Sequence, residues 1–202
     1  RWQDGSVKWA GFSALIPKGD NVTTLRAGYG KHVKHKLVNI SRNGIVVNTG
    51  DMEVLFPRHG NSFMDYIRYK GIKVADMGRV VASTSLSSYK SVIDTSYIEN
   101  NGDVRAVIRV NGHMVGDKES SMTLPFTLRF YLYYGSEQIK IQHSFVYDGN
   151  QNRDFIKSLG LQFDVPFRET VYNRHIAFSF DKDSVWAEPV QPLDGRRELS
   201  RE

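Results

Sequence analysis

Cysteine is absent from this chain of 202 residues, which removes disulfides, thiolate nucleophiles and zinc–thiolate sites together. Any chemistry therefore rests on oxygen and nitrogen side chains. No run approaches the roughly 18 apolar residues that a membrane span needs, and no membrane partner is expected; no charged-then-apolar leader precedes Trp2, which says nothing about export in a chain whose start looks cut. No stretch carries apolar residues at helical spacing over three turns. There is no Ser-His-Asp order or P-loop, and Gly28-Tyr29-Gly30 lacks the further glycine and helix of a dinucleotide site. Zinc-finger spacing, a ribonucleoprotein aromatic motif and a basic helix are missing too, so nucleic acid is not expected as a partner.

What is present is a globular composition, 40% hydrophobic and 12% aromatic, with a formal net charge of +5. That surplus favours an anionic partner in general terms. Alternation with period two dominates. Phe126, Leu128, Phe130 and Leu132 share one face of a strand, and Thr127, Arg129, Tyr131 and Tyr133 share the other. After the turn Gly135-Ser136-Glu137, Ile139, Ile141, His143 and Phe145 repeat the rhythm, so 124–147 reads as one long hairpin. Val104 to Val110 and Phe155 to Val165 read likewise, and further strands are expected at 6–16, 44–49, 53–56, 66–69, 89–98, 171–180 and 185–188. Strands with one apolar face each must pack on a second layer, which predicts an all-β, antiparallel, supersandwich-like β-sandwich.

Arg1-Trp2-Gln3-Asp4-Gly5-Ser6-Val7-Lys8-Trp9-Ala10 reads as a hairpin around a type I′ Asp-Gly turn, and it begins in mid-strand. A piece of a longer protein is the expectation. The basic stretch from Lys31 to Lys36 interrupts the rhythm before a fresh apolar run at Leu37–Ile40, which suggests a boundary near residue 42.

Three blocks carry a family resemblance: Trp2 to Trp9; Ile98-Glu99-Asn100-Asn101-Gly102-Asp103-Val104-Arg105-Ala106-Val107-Ile108; and Asn173-Arg174-His175-Ile176 with Val185-Trp186-Ala187-Glu188-Pro189-Val190-Gln191-Pro192-Leu193. Together they resemble the exo-rhamnogalacturonan lyase and YetA-like family. Its members join an N-terminal RIFT β-barrel, a central β-sandwich and a C-terminal α/α toroid. The resemblance implies that residues 1–42 are the end of the barrel and 43–202 the central sandwich, with the toroid outside this chain. Asp103, after the Asn-Gly pair, departs from the proline expected there. The implied function is a secreted or periplasmic, carbohydrate-active protein that cleaves acidic, pectic polysaccharide by β-elimination, without cofactor or metal. A noncatalytic carbohydrate-binding or scaffolding sandwich and a glycoside hydrolase accessory domain are the alternatives.

Elimination needs a cation or amide to neutralise the uronate carboxylate, a base for the C5 proton and an acid for the leaving oxygen. Asn173, Arg174 and His175 bring an amide, a cation and a titratable ring together and are the catalytic candidates. On a strand, Tyr172 and Arg174 would share one face and Asn173 and His175 the other. Arg174 would then need a carboxylate partner on its apolar face, and Glu188 is the candidate. Arg58 and His59, in the polar loop 57–62, are substrate-binding candidates because loops on a rigid scaffold carry function. Tyr131 and Tyr133 can stack on sugar rings or pack against another domain. Trp186 and Glu188 can form a stacking edge. His143 is expected in the core with one satisfied nitrogen. Asp148 to Asp154 lacks the glycine and the final glutamate of a calcium loop and reads as a polar turn.

Overall fold

The computed structural model describes residues 1–9, 11–14, 16, 35–117, 122–179 and 185–190. The Gly28-Tyr29-Gly30 pair, Lys31 to Lys34 and Gln191-Pro192-Leu193 lie outside them. Two compact units divide the chain, Arg1–Asp164 and Val165–Glu202.

The first unit carries β1 (Val38–Ser41), β2 (Gly44–Asn48), β3 (Met52–Phe56), β4 (Met64–Tyr69), β5 (Ile72–Thr84), β6 (Ser88–Asn101), β7 (Arg105–Gly116), β8 (Phe126–Tyr133), β9 (Ile139–Phe145) and β10 (Ile156–Asp164). All pairings are antiparallel, and β1 to β9 follow one another as a meander, with β10 against β5. No α-helix occurs among the described residues. The all-β antiparallel expectation holds.

β5 turns this meander into two layers. Asp76 pairs with Tyr66 of β4 and with Asp164 of β10, while Val81 pairs with Lys90 of β6 and with Gly160 of β10. β4 and β6 therefore lie in succession along one edge of β5, which passes from one layer into the other. Met77, at a φ of 51°, marks the bend, since a side chain in the left-handed region needs a local reason. Where β6 parts from β5, backbone from the 57–62 loop takes over its edge. Gly60 and Ile93 exchange hydrogen bonds of 3.3 and 2.6 Å, and Ser96 N donates to the Arg58 carbonyl at 3.1 Å.

Alternation fills the space between the layers. Ile45, Val47, Val54 and Phe56 of the first layer join Ala106, Ile108, Val110, Leu128, Phe130 and Leu132 of the second in one buried cluster. Phe130 sits 4.9 Å from Phe56 and 5.4 Å from Phe63, ring centre to ring centre, the offset spacing that aromatic pairs prefer. Gly112 is required where β6, β7 and β8 crowd: a Cβ there would run into the Val92 carbonyl and the Phe126 ring.

Several local expectations are corrected. No strand covers the described part of 6–16. The Asp4-Gly5 turn closes through Gly5 N to Trp2 O at 3.0 Å and Trp2 N to Ser6 O at 3.0 Å. Only Gly5 has positive φ, so this is a three-residue loop with a glycine bulge and not type I′. Asp4 is held differently, accepting from Ser6 N and Ser6 Oγ. β5 itself was not expected from the pattern.

In the second unit, Val171–Asn173 is one turn of 3₁₀ helix, and β11 (His175–Ser179) pairs with β12 (Val185–Pro189). A strand beginning at Val171 is thus corrected. With it goes the strict alternation of Tyr172, Asn173, Arg174 and His175.

Candidate functional site

The apolar phase of β6 to β9 faces the core, so the opposite phase forms one outward surface. Registers place Tyr97 of β6 opposite Arg109 of β7, Arg109 opposite Arg129 of β8, and Arg129 opposite Gln142 of β9. A polar row thus crosses four strands. Beside it runs Val107, Tyr131 and Lys140, and on the other side Asn111, Thr127 and Ser144.

Two directly opposed guanidinium groups repel, and a bulge supplies what holds them. The register of β6 slips between Ile98 and Asn100, so Glu99 is an extra residue without a ladder partner. Its carboxylate accepts from Arg129 Nε at 2.7 Å and lies 3.9 Å from an Arg109 terminal nitrogen. Glu99 pushes the already high pKa of Arg129 further up through this hydrogen bond. Arg109 Nε donates to Asn111 Oδ1 at 3.1 Å, and Thr127 Oγ1 donates to the same oxygen at 3.0 Å. Arg109 lies over the Tyr97 ring at 5.6 Å and Lys140 over Tyr131 at 5.7 Å. The Tyr131 hydroxyl donates to Gln142 Oε1 at 3.1 Å.

A second bulge, between Ile93 and Thr95, displaces Asp94. Its carboxylate is 2.9 Å from His113 Nδ1, and its backbone carbonyl is 2.5 Å from His59 Nδ1. A carbonyl only accepts, so His59 donates from Nδ1, and the Asp94 carboxylate orients His113 through the same ring nitrogen. A groove lined by Asp94, Arg109, Asn111, Thr127 and Ser144 runs along this face. The groove holds a fixed cation and an amide, and the same outward phase carries Arg129 and His113 beside it, the group types that proton abstraction beside a carboxylate uses. Among the described residues, no group of three or more His, Asp or Glu is placed to hold a metal ion.

Of the candidates named from sequence, His59 and Tyr131 belong to this face. Tyr133 continues it opposite Arg105, and Arg58 is exposed at the loop. Asn173, Arg174, His175, Trp186 and Glu188 belong to the second unit. There Arg174 Nε donates to the Glu169 carbonyl at 2.8 Å, and Glu188 stands opposite Ile176. The expected Arg174–Glu188 pair is thus corrected, because Arg174 ends the 3₁₀ turn and lies outside the β11–β12 ladder. His175 Nδ1 is 2.9 Å from the Asn173 carbonyl. Trp186 is exposed, 6.5 Å from the Phe178 ring.

His143 is half-buried, edge-on to Phe126 at 6.0 Å, but its buried Nε2 has no hydrogen-bond partner among the described residues. The expected satisfied nitrogen is not found, and burial pushes its pKa down. Asp148 accepts from the backbone N–H groups of Thr123 and Leu124 at 3.0 and 2.9 Å and from Thr123 Oγ1 at 2.5 Å. Burial alone would raise its pKa, but these hydrogen bonds together hold it below the ordinary value. Asp154 accepts from Asn150 N, closing the polar turn.

Sequence reasoning did not reach Asp94, Tyr97, Glu99, Arg109, Asn111 or His113. The signal was available in Arg109-Val110-Asn111-Gly112-His113, where every second residue is polar and in phase with Arg129 across the ladder.

Residues 37–202 match the family described as the PcRGLX-like protein central beta sandwich domain. The chain belongs to that family. It is also 28% identical over 210 residues to "Uncharacterized protein YetA" of Bacillus subtilis (strain 168), an alignment that covers 97% of this chain and 24% of that protein. The chain thus spans about a quarter of the curated relative it matches. The family's β-sandwich description agrees with the two layers bridged by β5, and places the outward face of β6–β9 inside the matched region.

Proposed function

We propose that this chain is the central sandwich of a larger carbohydrate-active protein that cleaves acidic, rhamnogalacturonan-like polysaccharide by β-elimination. Membership of the PcRGLX-like central sandwich family is the observation that carries this reading. The surface supports it: the outward face of β6–β9 offers cations, amides and tyrosine rings to a glycan, and His113 and His59 stand at its end. On this reading residues 1–42 are the end of a RIFT barrel, an α/α toroid outside the chain completes the catalytic centre, and the protein works outside the cytoplasm. Asn173, Arg174 and His175, with Trp186 and Glu188, form a second glycan-facing edge on the smaller unit.

In elimination the base takes the C5 proton, the C5–H electron pair becomes the C4=C5 double bond, and the C4–O bond breaks toward a protonated leaving oxygen. The product carries an unsaturated uronate that absorbs in the ultraviolet. Incubating the full-length protein with rhamnogalacturonan should therefore produce that chromophore. New reducing ends without it would mean hydrolysis, and neither would mean a noncatalytic binding module; both overturn the reading.

A further inference from the structure

The row Tyr97–Arg109–Arg129–Gln142 holds two guanidinium groups against one carboxylate. Glu99 engages Arg129 through Nε and approaches Arg109 through a terminal nitrogen. Arg109 Nε is spent on Asn111. The terminal nitrogens of Arg129 therefore remain as outward donors with no partner among the described residues. Asn111 is polarised in the same sense. Its Oδ1 accepts from both Arg109 and Thr127, which turns the Nδ2 donors away from these groups. Lys140, over Tyr131, adds a further cation along the same surface. A surface that presents donors and positive charge, with its acceptors already engaged, is complementary to an anion with two in-plane oxygens. Arg109 and Arg129 are only 30% and 26% exposed at their side chains, so both are held by their surroundings instead of swinging freely in solvent. Tyr97, at the β6 end of the row, and Tyr131, in the row beside it, add rings suited to the C–H face of a pyranose.

We propose that Arg109, Arg129 and Asn111 form a binding site for the carboxylate of a hexuronate residue within a glycan chain, with Tyr97 and Tyr131 as its walls. This rests on the glycan reading above and names the sugar class that the face takes. Glu99 is a positioning residue: it holds two like charges side by side and leaves one positive charge uncompensated. Asp94 of β6 lines the adjoining groove, and its partner His113 stands four residues from Arg109 in the same phase of β7.

The test is calorimetric titration of the chain of residues 1–202 with an oligogalacturonide, with the same oligosaccharide after carboxyl reduction, and with inorganic phosphate. The acidic sugar should bind at least about 10-fold more tightly than the reduced one, as loss of a charge-assisted bidentate contact implies, and phosphate should not displace it. Arg129→Gln should weaken binding of the acidic sugar by about 10-fold and leave the reduced sugar unchanged. Arg129→Lys, which keeps the charge and the buried stem, should lose most of that affinity too, because the planar fork is gone. Equal affinity for the acidic and reduced sugars, displacement by phosphate, no binding, or full affinity in Arg129→Gln would each overturn the site. An unsaturated product from the full-length protein alongside any of those results would leave the elimination reading standing. Carboxylate-selective binding without unsaturated product would do the reverse.

Discussion

Phe130 and Tyr131 are neighbours in β8 on opposite faces, and replacing each by alanine tests the two-sided sheet on which the site depends. Phe130 is fully buried and its ring meets Phe56 and Phe63 across the layers. Its removal loses the transfer free energy of the ring and opens a cavity that the flanking strands fill only in part, a cost of about 3–5 kcal/mol. Against a total stability of about 5–15 kcal/mol, that is a large fraction. Tyr131 lies outward, and its hydroxyl donates to Gln142, so its loss should cost about 1 kcal/mol. Urea unfolding followed by far-ultraviolet circular dichroism is the suitable assay, because Trp2, Trp9 and Trp186 are exposed and report poorly on the core. The Phe130→Ala midpoint should fall steeply with an unchanged slope, and Tyr131→Ala should barely move. A Phe130→Ala loss below about 1 kcal/mol, or equal losses at the two positions, would refute the inward and outward assignment.

Two further outcomes follow from the same packing. Gly112→Ala should lower stability by about 1–3 kcal/mol, because the Val92 carbonyl that a Cβ would meet is backbone and yields little; a melting curve that coincides with the parent's would contradict it. His143, whose pKa burial lowers, takes up its proton more readily unfolded than folded, so stability should decline as pH falls below about 6.5, the ordinary histidine value. His143→Leu removes the titrating ring and the unpaired Nε2, and its stability relative to the parent should rise as pH falls through that range; a pH-independent difference would show that the ring is not desolvated.

The β8–β9 hairpin was legible because its apolar residues are large and its period is unbroken; the ladder runs from Phe126–Phe145 to Leu132–Ile139, as the alternation implied. β5 was not, although it joins the layers. Its buried face at Val80, Ala82 and Thr84 is made of small side chains, and Asp76, Met77 and Gly78 break the pattern at the bend. The 171–179 stretch misled for a related reason: a 3₁₀ turn before a short strand carries no signal in alternation. At the site, Arg129 and Tyr131 were visible as an outward pair. Arg109, Asn111 and His113 were hidden in the polar phase of a strand read for its apolar one. Glu99 and Asp94 depend on bulges, which single-residue slips in register create and a lone sequence does not display.

The measurement that bears most directly on the account is a map of backbone amide chemical shifts in the isotopically labelled chain as an oligogalacturonide is added. The account predicts that the largest changes fall on Tyr97, Arg109, Asn111, Thr127, Arg129 and Tyr131, one surface drawn from three strands. Changes concentrated on β11 and β12, on the 148–154 turn or on the inner edge of β9, with that surface unmoved, would contradict it.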